Sequence, residues 1–105
     1  MQILVVDDEV SIVKMLTNVL TKNNHVVIST SDPKEAVKHA HVDLALLDVI
    51  MPEISGIEVL SQLRSINPEL RVIFMSGHLF DKVIPEGIPL LRKPFVLKDL
   101  FKLIQ

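Results

Sequence analysis

The sequence predicts an α/β fold, doubly wound, with a five-stranded parallel sheet and helices on both faces. Three observations carry that prediction. The runs Ile3-Leu4-Val5-Val6 and Leu44-Ala45-Leu46-Leu47 have no polar face, as suits parallel strands buried on both sides. Segments with apolar residues at helical spacing alternate with such runs. The runs also stop at polar residues, Asp7-Asp8 after the first and Asp48 after the second, at the carboxyl edge where open α/β sheets place their ligands.

In chain order, the first strand is read as Gln2 to Val6. Ile12, Met15, Leu16, Val19 and Leu20 then mark a helix, with Asp8 or Ser11 as its candidate cap and Asn23-Asn24 as its stop. The β-branched stretch from His25 to Ser29 reads as a short second strand. Asp32-Pro33-Lys34-Glu35 supplies a cap, a proline at the first helical position and an acid three residues after the cap, opening a brief helix with Ala36, Val37 and Ala40. The third strand is expected from Asp43 to Leu47. Ser55-Gly56-Ile57-Glu58 reads as a capping box, and Val59, Leu60, Leu63 and Ile66 form the apolar face of a helix ending at Asn67-Pro68. Arg71 to Met75 is the fourth strand. A helix of one or two turns over Leu79 to Ile84 is allowed, with Pro85 ending it. The fifth strand is read as Ile88 to Leu91, and Pro89 inside it predicts an edge position, because proline removes a ladder donor. Leu97, Leu100, Phe101 and Ile104 form a last helical stripe.

The composition fits one domain over residues 1–105, a length that can bury a core. With 49% hydrophobic but only 4% aromatic residues, that core is built of Val, Leu and Ile. The chain has no cysteine, which excludes disulfides and thiolate metal sites. A formal charge of −2 argues against a nucleic-acid surface. No apolar run approaches the roughly 18 residues of a membrane span, and Met1-Gln2 leads into the first strand with no basic region before it. A cytoplasmic protein with no membrane partner is the expectation.

If the first and third strands are neighbours, three or four carboxylates, from Asp7-Asp8-Glu9 and Asp48, meet at one edge. Like charges that close require a proton or a cation among them, and Mg²⁺, with its preference for oxygen, is the natural occupant. Ser76-Gly77 after the fourth strand and Lys93-Pro94 after the fifth add a hydroxyl and a cation. Taken singly, each signal is weak: an Asp pair after a strand is more often a cap, a lysine a solvated charge, a serine a turn residue. Their order, each piece just past a strand end, is hard to explain otherwise. The four histidines share no spacing, and the three glycines form no phosphate-binding loop.

These pieces resemble the receiver domain of two-component response regulators, of the chemotaxis-regulator type. The resemblance rests on Val5-Val6-Asp7-Asp8-Glu9, Leu47-Asp48-Val49-Ile50-Met51-Pro52, Gly56, Met75-Ser76-Gly77 and Lys93-Pro94-Phe95, and it covers nearly the whole chain. It implies a flavodoxin-like sheet of order 2-1-3-4-5. It also implies Asp48 as acceptor of a phosphoryl group from a histidine kinase or phosphotransfer protein, and a downstream effector protein or domain. Asp7, Asp8, Asp48 and the Ile50 backbone carbonyl would hold Mg²⁺. Ser76 and Lys93 would each take a phosphoryl oxygen, Lys93 would keep Asp48 ionised, and the Lys93–Pro94 bond would be cis. On this reading the protein is a switch rather than an enzyme. Two features depart from the family pattern: Leu90 stands where an aromatic switch residue is usual, and the segment between Ser76 and Lys93 is short. Two rivals stay open: a receiver-like module that binds partners regardless of phosphorylation, and, ranked last, a Mg²⁺-dependent phosphohydrolase. The latter lacks the second Asp two residues past the nucleophile, where Ile50 stands.

Overall fold

The computed structural model describes residues 1–77 and 84–105. Its elements are β1 (Gln2–Val6), α1 (Val10–Lys22), β2 (Val26–Thr30), α2 (Pro33–Ala36, followed by a 3₁₀ turn Val37–His39), β3 (Leu44–Asp48), α3 (Gly56–Ile66), β4 (Arg71–Ser76), β5 (Leu90–Arg92) and α4 (Leu97–Ile104). The five strands form one sheet in the order β2-β1-β3-β4-β5, every pairing parallel.

Because side chains alternate across a strand, the sheet serves two cores. Leu4, Val6, Ala45, Leu47 and Phe74 pack on one face against Ala36, Val59 and Leu63 of α2 and α3. Ile3, Val5, Leu44, Leu46 and Met75 pack on the other against Leu16 and Leu20 of α1 and Leu100 and Ile104 of α4. Burial of these aliphatic side chains contributes on the order of 1.5–3 kcal/mol each before the entropy of ordering is set against it.

The caps follow the sequence in part. Asp32 Oδ1 accepts from the Lys34 amide at 3.0 Å, and Ser55 Oγ accepts from the Glu58 amide at 3.2 Å. The cap of α1 is neither Asp8 nor Ser11 but Glu9, whose side chain makes no capping bond. Asn24, just past the C-terminus of α1, has φ 68°.

Four strands differ from expectation at one or both ends. β2 begins at Val26 rather than His25 and runs on to Thr30. β3 begins at Leu44, because Asp43 is used to tie the neighbouring strand: its amide donates to the Gln2 carbonyl at 2.9 Å and its Oδ2 accepts from the Gln2 amide at 2.7 Å. β3 ends on Asp48 and β4 on Ser76, so both polar residues belong to the ladder itself. β5 is confined to Leu90–Arg92, with Pro89 just outside it. Proline has no amide to pair, but its carbonyl accepts from Phe74 at 2.9 Å. β5 is an edge strand, as Pro89 predicts. The helix allowed over Leu79 to Ile84 lies outside the described residues, except for Ile84, which is in a bend. In α4, Leu100 and Ile104 are buried, whereas Leu97 is 41% exposed and leaves the stripe.

Candidate functional site

Register places the acidic residues. Val6 of β1 is paired with Leu47 of β3, so the next residues along, Asp7 and Asp48, face each other across two adjacent strands. Neighbouring strands lie only about 4.8 Å apart. Asp7 and Asp48 are buried, Asp8 is exposed one residue beyond, and oxygens of all three lie within 4.8 Å of one another. Lys93 comes from the far side. It follows Arg92, which pairs with Ser76, and its amide donates to the Ser76 carbonyl at 2.8 Å. Its stem passes over Gly77, where an added Cβ would meet Lys93 Cβ at 3.7 Å.

The ammonium ends among three carboxylates. Lys93 Nζ donates to Asp7 Oδ2 at 2.7 Å and to Glu9 Oε1 at 3.2 Å, and stands 3.6 Å from Asp48 Oδ2. Around these groups lies a cleft of about 450 Å³ lined by Asp8, Glu9, Asp48, Ile50, Met51, Pro52, Gly77 and Lys93. Ser76 is buried at the end of β4, and Gly77 rather than Ser76 lines the cleft. Ile50 is 48% exposed at the rim. The Lys93–Pro94 bond is cis. His78 lies outside the described residues.

Burial pushes the Asp48 carboxyl up to about 7, aided by the charge of Asp7 and by the hydrogen bond that protonated Asp48 donates to Asp8, with Lys93 pulling the other way. Lys93 therefore does not by itself keep Asp48 ionised at neutral pH, contrary to the sequence-based expectation. Two nearby acids and a buried site outweigh one cation that is closer to Asp7 than to Asp48. Burial works to lower the Lys93 pKa, but the hydrogen bond to Asp7 and the charges of Asp48 and Asp7 outweigh it and hold it above the ordinary lysine value.

The backbone beyond Asp48 is equally specified. The Gly56 amide donates to the Val49 carbonyl at 2.8 Å, and an added Cβ at Gly56 would lie 2.1 Å from the Asp48 carbonyl oxygen. Only glycine allows α3 to start against the end of β3 this closely. Glu53 adopts φ 71° in the same loop, and its carboxylate meets exposed Lys34 at 3.0 Å.

The family model for the response regulator receiver domain matches residues 3–105. The chain belongs to that family. Among curated relatives of this receiver, the alkaline phosphatase synthesis transcriptional regulatory protein PhoP of Bacillus subtilis is 40% identical over 94% of the chain. The chemotaxis protein CheY of the same species is 29% identical over 92% of the chain and 84% of its own length. The receiver spans only 45% of that PhoP and 23% of the transcriptional regulator NtrC of Azospirillum brasilense. Among solved structures, the receiver domain of the hybrid histidine kinase CckA is 29% identical, with a TM-score of 0.86 over 99% of this chain and 95% of that one. The response regulator TrrA of Thermotoga maritima, solved in complex with Mg²⁺ and BeF, is 27% identical, with a TM-score of 0.85 over 98% of this chain and 95% of that one. No helix among the described residues is long and apolar enough to cross a membrane.

The structure brings together five of the six side chains or loops singled out in the sequence: Asp7, Asp8, Asp48, Lys93 and the Ile50 loop. Ser76 adjoins them in the sheet, one residue short of the cleft wall. Sequence reasoning counted Glu9 among the acids that could meet at this edge but gave it no role; its pairing with Lys93 was not anticipated. The signal was its place directly after the Asp pair, at the entrance of α1. Leu90 is half-buried, opposite Phe74 in the ladder and packed on the core with Ile84 and Ile88.

Proposed function

We propose that this receiver, taken as one domain over residues 1–105, accepts a phosphoryl group on Asp48 and works as a signalling switch. The observation that carries the reading is the convergence of Asp7, Asp8 and Asp48 with the Lys93 ammonium in one cleft at the carboxyl edge of the sheet. Phosphoryl transfer needs positioning and neutralisation more than covalent help from the protein. Asp48 ends a strand buried on both sides, which holds its carboxylate still for in-line attack. Lys93 stands close enough to donate to an oxygen carried on Asp48. Ser76, one residue from the cleft, is the candidate hydroxyl donor.

The oxygen-only set Asp7, Asp8 and Asp48, completed by the Ile50 carbonyl, suits Mg²⁺ rather than a softer metal. The raised Asp48 pKa supports this fit, because three converging acids outnumber the cation they share. When bound, Mg²⁺ supplies positive charge to the phosphoryl oxygens and lowers the cost of an ionised Asp48. Asp7 and Asp8 would provide its charged ligands.

The donor would be a phosphohistidine on a histidine kinase or phosphotransfer protein, and the receiver's state would be read by a partner protein or output domain. A cytoplasmic setting follows from such partners. Relatives among transcriptional regulators and chemotaxis proteins support both contexts without selecting one. The test is intact-mass analysis after incubation with acetyl phosphate and Mg²⁺. Wild type should gain one phosphoryl mass and Asp48→Asn none. A wild type that stays unmodified, or an Asn variant modified at the wild-type rate, overturns the assignment.

A further inference from the structure

The exposed carboxylate of Glu9 is placed oddly for its position in the chain. As the N-cap of α1 it lies beside amides that lack helical partners, and a carboxylate is stabilised there. Its side chain makes no capping bond and instead accepts from Lys93 Nζ at 3.2 Å. Lys93 already has Asp7 at 2.7 Å, so Glu9 is a second counter-ion. The two differ in how they are held. Asp7 is fully buried, and its Oδ1 accepts from the Glu9 amide at 2.9 Å, whereas the Glu9 side chain is 58% exposed at the rim of the cleft. One partner of Lys93 is fixed, and the other is free to leave.

We propose that Glu9 is an exchangeable counter-ion of Lys93, a positioning residue that occupies an ammonium donor in the unphosphorylated protein and yields it to an arriving anion. The inference rests on the receiver reading given above. An ammonium has three donors and no acceptor. Asp7 takes one, and Asp48 stands at 3.6 Å, beyond a good hydrogen bond. A tetrahedral anion on Asp48 competes with Glu9 for the remainder. The displaced carboxylate has an alternative partner already in place, the unpaired amides at the start of α1. Glu9 thus sets how tightly the site takes a phosphoryl group without touching it.

The probe is beryllofluoride with saturating Mg²⁺, titrated by amide NMR against wild type, Glu9→Gln and Glu9→Asp, at low and at 0.5 M salt, where the screening length is about 4 Å. Gln removes the charge. Asp keeps the charge at the cleft mouth but is one methylene too short to hold Lys93 from the same backbone position. Both variants should bind the mimic up to about fivefold more tightly than wild type at low salt, the scale of an exposed ion pair, with the gain shrinking at high salt. If Gln gains and Asp does not, Glu9 merely repels the anion, and the counter-ion role is wrong. Equal affinity in all three proteins overturns it as well. A wild type that takes up no mimic at all overturns the receiver reading itself, a result distinct from either. Glu9 is exposed, so both variants should melt within a few degrees of wild type, which a thermal scan run alongside verifies.

Discussion

Replacing Asp48 with Asn should make the metal-free protein more stable, although it removes the proposed acceptor. The folded state raises the Asp48 carboxyl from 3.8 to about 7, chiefly through burial and then through the Asp7 charge. Each tenfold change in proton affinity corresponds to about 1.36 kcal/mol. An ionised Asp48 therefore disfavours the fold by up to about 4 kcal/mol above pH 7, with the attraction of Lys93 already included. The fold binds the proton more tightly than the unfolded chain does. The contribution of Asp48 to wild-type stability is thus fullest below pH 3.8 and is lost as the pH rises through about 7. Asn keeps the shape, removes the charge and leaves Lys93 with Asp7 and Glu9. Since its amide will not satisfy every neighbour, about half of that ceiling, ~2 kcal/mol, is expected at pH 8. With a urea slope of roughly 1–1.5 kcal/mol/M, the midpoint should rise by about 1.5 M at pH 8 and by much less at pH 4. Mg²⁺ should stabilise wild type at pH 8 and narrow the gap. The reasoning fails if the two proteins unfold together at pH 8, or if the gain is the same at pH 4.

Other substitutions probe the remaining parts. Asp8→Ala should abolish the Mg²⁺-dependent rise in melting temperature; a rise equal to wild type would remove Asp8 from the ligand set. Gly56→Ala should cost about 2 kcal/mol or more in urea unfolding, since its methyl group would meet the Asp48 carbonyl at 2.1 Å, and it should slow phosphoryl uptake from acetyl phosphate as well. A variant as stable and as fast as wild type would show that the α3 entrance can move aside at no cost. Beryllofluoride with Mg²⁺ should shift amides around Asp8, Ile50 and Gly77 more than those from Phe95 to Ile104, because Leu90 has no ring to turn inward. Equally large shifts along α4 would show that the switch runs without an aromatic residue.

The sheet was legible in the sequence because its signals are redundant. An apolar run such as Leu44 to Leu47 states burial on both faces, and the residue that ends it states the edge. The acidic cluster followed from strand adjacency alone. Boundaries were harder to read because tertiary pairing decides them. Asp43 looks like a strand start until its carboxylate is seen tying down the Gln2 amide, 41 residues away. Pro89 looks like a ladder member until the carbonyl alone is found in use. The titration of Asp48 was not legible either. It depends first on the burial of the carboxyl and the charge of Asp7, and then on Lys93 standing 2.7 Å from Asp7 but 3.6 Å from Asp48, details that no spacing in the chain encodes.

The all-buried β3 strand also governs how the site can change. Its alternating residues feed two separate cores, so a slip of one residue against β1 would exchange them, sending Leu44 and Leu46 where Ala45 and Leu47 belong. A slip of two would keep the faces but carry Asp48 about 6.6 Å along the strand, away from Asp7. The depth of the Asp48 carboxylate is therefore a counted quantity, fixed by whole residues of core packing. Drift in this chain can tune the rim, where Glu9, Ile50 and Glu53 stand, in small steps. The distance between its central acids admits no small step at all.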